Sequence, residues 1–232
     1  MPLRLQGMAA SDGLFTGPVH WHSQAKQARE HTGNPAAEAA DLQTAVAGAI
    51  VELSHLQQQS EGAAAQIIGF QIAMLEDPSL IAPCWHFISN HASADGAWSA
   101  ALDEHIKICN ASEDGLLQTG SENLADLHDR VLRLLTHAIH REIPAGVVLL
   151  GHDLSPSAFL SHDWSKGGAI VLRSGSATGQ VAMLARTNGI AMVLQVTELE
   201  ENLVRVAQVD GARGEVWFDP EPQQSEAFAE AK

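Results

Sequence analysis

The spacing of the apolar residues changes once, near Pro144, and no other feature of this 232-residue chain constrains its fold as much. From Ala36 to about His140 there are no strand signals. Leu42, Val46, Ala49, Ile50, Leu53 and Leu56 recur at three and four residues, the spacing of one helix face. Asn34 with Pro35 predicts a helix start, an N-cap followed by proline at the first helical position. Further helices are expected at 62–75, 81–90, 94–109 and 122–140, with Asp77-Pro78 opening a new segment because proline suits a first turn. After Pro144 the runs become short, β-branched and apolar: "AGVVLLG", "GGAIVL" and "AMVLQV". A helical stretch at 180–188 lies between the last two. "LVRVAQVDGARGEVWFDP" then reads as two strands around an Asp-Gly turn.

Residues 3–22 alternate loosely, with three glycines and one proline, and predict one or two short strands around Ser11-Asp12-Gly13. Those strands have no strand partner for the next hundred residues. The simplest solution pairs them with the sheet formed after Pro144, so that the helical block is an insertion into an α/β domain.

Charge narrows the function. The net charge is −15 and no cluster of Lys and Arg is visible, which argues against a nucleic-acid surface. Residues 34–143 carry 15 acidic and 4 basic groups, net −11. Two readings fit that excess: a solvated helical surface, or a field that steers a basic partner. No run approaches 18 apolar residues, so no membrane span is expected, and the N-terminus does not read as a secretory signal. Cys84 and Cys109 lack the spacing of a metal knuckle and read as a reduced, cytosolic pair. The 12 histidines show no pair with metal spacing and carboxylate support, so no metal site is expected. Trp85, Trp98, Trp164 and Trp217 are assigned to the core.

The stretch "RSGSATGQVAMLAR", Arg173 to Arg186, is a small-residue loop running into a helix. Such a loop lets backbone N–H groups approach an anion beside a helix N-terminus. It is also what an ordinary capped strand-to-helix connection looks like, and the loop alone leaves both open. Thr178 could cap the helix or bond a phosphate oxygen.

The longer stretch "ATGQVAMLARTNGIAMVLQV" resembles the phosphohistidine signature of phosphoenolpyruvate (PEP)-utilising enzymes, G-G-x-T-S-H-x-A-I-x-A-R. Gly175, Thr178, Ala182, Ala185 and Arg186 match it. Ser176, Gly179 and Gln180 depart from it, and Gln180 stands where the signature has its histidine. The resemblance continues in order along the chain. "GMAASDGLFTGPV" is similar to the opening strand of Enzyme I of the sugar phosphotransferase system. "FQIAMLEDPSL", "ADLHDRVLRLL", "DLSPS" and "DGARGEVWFDPEP" are similar to its later motifs.

The resemblance implies an α/β phosphohistidine swivelling domain, residues 1–33 and 144–221, with an inserted all-α helical hairpin domain, residues 34–143. Residues 222–232 would begin a linker. It implies phosphoryl transfer to an HPr-like carrier in the cytoplasm, with Gln180, Thr178 and Arg186 at the catalytic position and Gly175, Ser176 and Gly179 in the phosphate loop. A glutamine amide lacks the free lone pair of an imidazole, so inactivity in phosphoryl transfer is expected. His152 and His162 are the histidines of the α/β part that could stand in by proximity. The carrier-docking positions carried over are Gln71, Met74, Leu75, Asp77 and Leu80, with Gln71 where the pattern has histidine. For Met74 and Leu75 core packing is the competing reading, and for Asp77 it is an N-cap. His128 and Asp129 fall near the family's charged cluster. No cofactor is expected in this chain, since the family binds PEP and Mg2+, and dimerises, through a separate C-terminal domain. A non-catalytic carrier-binding module and a small-molecule phosphate binder remain the alternatives.

Overall fold

The structure is a computed structural model that describes residues 3–22, 29–110, 115–138, 142–197 and 205–220. The expected linker at 222–232, the Cys109 side chain and His140 lie outside the described residues. In chain order the elements are β1 (Leu3–Gln6), β2 (Met8–Ser11), β3 (Leu14–His22), α1 (Pro35–Gln58), α2 (Gly62–Glu76), α3 (Pro78–Ser89), α4 (Ala94–Asn110) and α5 (Gly115–Leu135). They continue with β4 (Val148–Gly151), α6 (Pro156–Ser161), β5 (Ala169–Leu172), α7 (Gln180–Thr187), β6 (Ala191–Leu194), β7 (Val206–Asp210) and β8 (Glu215–Phe218).

These elements form two compact units. The α/β unit takes Met1–Gln24, Glu142–Leu154 and Ser161–Lys232; the helical unit takes Ala25–Arg141 and Ser155–Leu160. The divisions fall at 24/25 and 141/142 rather than at 33/34 and 143/144, and a further segment changes unit. The strap before α1 belongs to the helical unit, because Arg29 pairs with Glu38 and Asp41 of α1. Residues 155–160, which lie between two strands in sequence, also belong to it.

In the α/β unit eight strands form one sheet in the order β1-β8-β7-β3-β4-β5-β6-β2. Strands β3, β4, β5 and β6 run parallel, while β7, β8 and the N-terminal pair add antiparallel edges. The first 22 residues give three strands rather than one or two, since Gly7 and the Asp12-Gly13 turn each break the run. β1 and β2 are separated by Gly7 alone, yet they sit at opposite ends of the order, against β8 and β6. Only glycine suits that corner. A Cβ on Gly7 would press into the Leu194 carbonyl and lie 2.6 Å from Val196 Cγ2. Strands β4, β5 and β6 are buried along their whole length, as continuous apolar runs in a parallel sheet must be.

In the helical unit a core of Leu42, Leu53, Ile68, Trp98, Leu102, Leu127 and Val131 is shared by α1, α2, α4 and α5. The Asn34 side chain caps α1 by accepting the Ala36 N–H at 3.0 Å. Asp77 ends α2 and caps α3 through the Ser79 N–H at 2.8 Å, with Pro78 at N1. Helix boundaries move: α3 begins at Pro78 instead of Ile81, and α5 begins at Gly115 instead of Glu122 and stops at Leu135, short of His140. α6 was not expected at all. Of the four tryptophans assigned to the core only Trp98 is fully buried, its indole N–H donating to the His128 carbonyl. Trp85, Trp164 and Trp217 are half-buried; Trp85 still packs against the helical core, and the assignment is corrected for Trp164 and Trp217. No helix among the described residues is long and apolar enough to cross a membrane.

Candidate functional site: the loop before α7 and the face of α2

The loop opens where β5 ends, at the carboxyl edge of the parallel strands, the edge at which open α/β sheets bind ligands. Arg173 N–H donates to the Gly151 carbonyl at 3.1 Å. Ser174 donates twice to the His152 carbonyl, from its N–H at 2.9 Å and its hydroxyl at 2.8 Å. Gly175 then turns with φ +112°, a conformation that L side chains rarely adopt. The Ser176 and Thr178 hydroxyls are 2.9 Å apart, and the Thr178 N–H donates to Ser176 Oγ at 3.2 Å. Thr178 therefore does not cap α7. Gly179 is the N-cap residue and supplies no side-chain cap. Gln180 is the first residue of the helix, and Val181, Ala182, Leu184 and Ala185 seat it by burial.

Helical N–H groups at such a terminus have no partner within the helix, and the dipole there favours negative charge. A nucleophile in the loop is another matter. Among the loop residues the only nitrogen side chains are the Arg173 guanidinium, whose carbon lies 5.9 Å from the Trp21 ring centroid, and the Gln180 amide. Neither carries a free nitrogen lone pair at neutral pH.

Arg186, expected at the catalytic position, reaches two backbone carbonyls. Its NH1 donates to the Ala177 carbonyl at 2.8 Å and the Ala10 carbonyl at 2.7 Å. It brackets the loop against β2. His152 is exposed and meets the loop through its backbone carbonyl. His162 is buried edge-on against Trp164, ring centroids 4.2 Å apart, and burial lowers its pKa. Among the described residues no three of His, Cys, Asp and Glu come together to hold a metal.

The carried-over docking positions divide by burial. Gln71 is fully buried and Leu75 is a core residue, so neither offers a contact surface; both expectations are corrected. Gln71 Nε2 donates to Asn123 Oδ1 at 3.1 Å and Asp126 Oδ2 at 2.9 Å. Met74 and Leu80 are half-buried against the core, and Asp77 is exposed. Motif matching missed Phe70, which is 53% exposed. It lies one turn before Met74, so the two share a face of α2, and Asp77 follows at the C-cap of that helix. The available signal was composition: α2 is apolar nearly all round, and such a helix cannot bury every side chain against one neighbour. His128 lies between Asp129 Oδ1 and Ser99 Oγ, each 3.2 Å from a ring nitrogen.

Two sequence patterns match this chain: the N-terminal region of PEP-utilising enzymes over residues 6–119, and their mobile domain over residues 143–214. The chain belongs to the PEP-utilising enzyme family. Within it, the chain is 29% identical to the phosphoenolpyruvate-protein phosphotransferase of Enterococcus faecalis over 98% of its own length and 42% of the relative. It is 28% identical to the Staphylococcus carnosus protein of the same name, over 95% of its length and 40% of the relative. A third relative, 28% identical over 68% of this chain and 35% of its own, is the phosphoryl donor subunit DhaM of the PEP-dependent dihydroxyacetone kinase of Escherichia coli. The chain thus spans about two fifths or less of these relatives. Two solved structures share its fold over 98% of both chains. A solution structure of an Enzyme I protein matches with TM-score 0.72 at 20% identity, and the N-terminal domain of nitrogen Enzyme 1 with TM-score 0.62 at 23%. In this family setting the α/β unit is the mobile phosphohistidine-type domain and the helical unit is its insertion.

Proposed function

We propose that this chain is the N-terminal portion of a PEP-protein phosphotransferase of the Enzyme I type, with its phosphoacceptor histidine replaced by Gln180. As it stands it accepts no phosphoryl group. The observation that carries this reading is the place of Gln180: first residue of α7, directly after the loop. A phosphoacceptor there must attack phosphorus with a nitrogen lone pair and later leave easily. The lone pair of an amide nitrogen is delocalised into its carbonyl, so Gln180 can donate and accept hydrogen bonds but forms no phosphoramidate.

The partner in this reading is an HPr-like phosphocarrier, docked on the exposed face of α2 and the start of α3. Phe70 and Met74 supply apolar contact, Leu80 extends it, and Asp77 with the net charge of −11 on residues 34–143 attracts a basic protein. In this reading PEP and Mg2+ would be bound by a separate C-terminal domain and not by these residues. The same observation supports a second reading, a non-catalytic module that binds the carrier as a decoy or regulator.

The test is incubation with radiolabelled phospho-HPr, quenched in alkali, beside a titration with unlabelled HPr. Saturable binding without label is expected. A stable label on this chain would overturn the inactive site, and absence of binding would overturn the docking surface.

A further inference from the structure

Ser99 of α4 meets His128 and Asp129 of α5 in a chain of polar contacts inside the helical unit. His128 Nδ1 lies 3.2 Å from Asp129 Oδ1, and His128 Nε2 lies 3.2 Å from Ser99 Oγ. The two ends of this chain place its protons. A carboxylate only accepts, so Nδ1 carries the ring hydrogen and donates it to Asp129. The lone pair of Nε2 is then left to accept the Ser99 hydroxyl. The backbone behind the ring is anchored as well, since the His128 carbonyl accepts the indole N–H of the fully buried Trp98 at 3.1 Å. Solvent still reaches the group: the His128 side chain is 18% exposed, that of Asp129 is 40% exposed, and Ser99 is half-buried.

A hydroxyl that donates to an imidazole, itself oriented by a carboxylate, is a base-activated nucleophile. Other hydroxyls of the helical unit are bonded differently. Thr44, Ser60 and Ser89 donate to backbone carbonyls of the preceding turn, which take no proton. Ser99 lies inside α4, where its own N–H is bonded along the helix, so it has no backbone donor to offer a developing oxyanion. That confines its chemistry to donors whose leaving group departs without acid assistance.

We propose that Ser99 is an acylation site for activated acyl esters, with His128 as its general base and Asp129 as the positioning residue that orients the ring. Ser99 Oγ attacks the acyl carbon and forms a C–O bond, while its proton passes to His128 Nε2. The bond from the acyl carbon to the leaving oxygen breaks, and the electron pair departs with that oxygen as an alcoholate or phenolate. The imidazolium, held beside the Asp129 carboxylate, then gives its proton to water. The products are a Ser99 ester, the freed alcoholate and one proton. The site uses none of the loop residues around Gln180.

p-Nitrophenyl acetate, applied to the full chain and followed by peptide mass spectrometry, is the probe. Ser99 should gain an acetyl group about a hundredfold faster than Ser89, the lower end of what general-base assistance contributes. Ser89 is the more exposed of the two but donates to the His86 carbonyl and has no base. His128→Ala should bring Ser99 down to the rate of Ser89. Asp129→Asn should slow Ser99 by a similar factor, since an amide that donates to Nδ1 leaves the ring hydrogen on Nε2. Ring-nitrogen chemical shifts report that change directly: the hydrogen of His128 should sit on Nδ1 in the parent and on Nε2 in Asp129→Asn, a shift that a merely structural role would not produce. Equal acetylation of Ser99 and Ser89 overturns the proposal. So does acetylation of Ser99 that survives His128→Ala in a variant with the parent's circular dichroism, and reaction of Asp129→Asn at the parent rate removes Asp129 from it. A parent ring protonated on Nε2 instead of Nδ1 overturns it without any variant, which decides the matter if His128→Ala does not fold.

Discussion

Glu38, buried in the first turn of α1, accepts the backbone N–H of Ala94 at the start of α4 at 2.7 Å. The same carboxylate takes the Thr32 N–H and hydroxyl, each at 2.7 Å, and pairs with the Arg29 guanidinium. One acidic side chain thus ties the strap before α1 to the N-terminus of a helix some 55 residues away. Burial alone would raise its pKa, but the Thr32 and Ala94 N–H donors, the Thr32 hydroxyl and Arg29 outweigh burial and hold it at about 2.

Glu38→Ala is expected to destabilise the protein by about 3–5 kcal/mol, because it leaves Arg29 without its buried partner. Urea denaturation followed by circular dichroism measures it. A loss under 1 kcal/mol would mean that the bonds to Glu38 contribute little.

The same carboxylate sets an acid limit. A group with a depressed folded pKa stabilises fully above its unfolded pKa, near 4.5 here, and loses that stabilisation as pH falls toward its folded pKa. Stability should therefore drop between about pH 4.5 and pH 2, and the drop should be shallower in Glu38→Gln, which has no proton to gain. Parallel pH profiles of the midpoint in both proteins provide the check; identical slopes would refute the assignment.

Gln180→His should convert the loop into a phosphoryl acceptor. The glycine turn at 175, the Thr178 hydroxyl and the start of α7 remain in place. Gly179 gives the backbone more freedom where the family signature has serine, and a loosely placed nucleophile reacts on the order of a hundredfold more slowly. Alkali-stable label should appear over hours with excess phospho-HPr. A folded variant that stays unlabelled would show that loss of function extends beyond residue 180.

Phe70 and Leu75 should separate docking from stability. Leu75→Ala removes a core side chain and should cost about 2–5 kcal/mol of stability. Phe70→Ala, at an exposed position, should change stability by no more than about 0.5 kcal/mol but weaken HPr binding about tenfold. Calorimetric titration and thermal melts on both variants give the two readings, and a carrier affinity unmoved by Phe70→Ala would place docking elsewhere.

Arg186→Met should loosen the loop without unfolding the sheet, since it removes two charge-assisted bonds to carbonyls, about 1.5–3 kcal/mol for each hydrogen bond to a charged group. Faster exchange should appear at the Thr178 and Gly179 amides. Unaltered exchange there would return Arg186 to a role at the phosphate itself.

Much of this architecture could be read in the residues, for physical reasons. The parallel strands are short apolar runs between glycines, and the helical block keeps one apolar period over a hundred residues. The unpaired N-terminal strand required the sheet after Pro144, and its pairing with β8, β7, β4 and β6 meets that requirement. What could not be read depended on partners distant in sequence. Gln71 as a surface residue and Gln71 as a buried donor to Asp126 have the same local sequence, and only the packing of α2 on α5 distinguishes them. The six residues of α6 are too few to show a period. Arg186 matched a signature by position, while its bonds run to carbonyls that no motif contains.

The single glycine between β1 and β2 also orders events in time. Leu3 pairs with Phe218 and Met8 with Leu194, so β1 and β2 must wait for strands made roughly 200 residues later. At ~5–20 residues per second that wait is of the order of ten seconds or more, and contacts so remote in sequence form slowly even once both sides exist. The sheet is consequently completed after the helical block has been made, and β1 and β2 stay open to other chains until then. Cells that slow translation, or chains truncated before β8, should show it first as aggregation rather than as loss of helix.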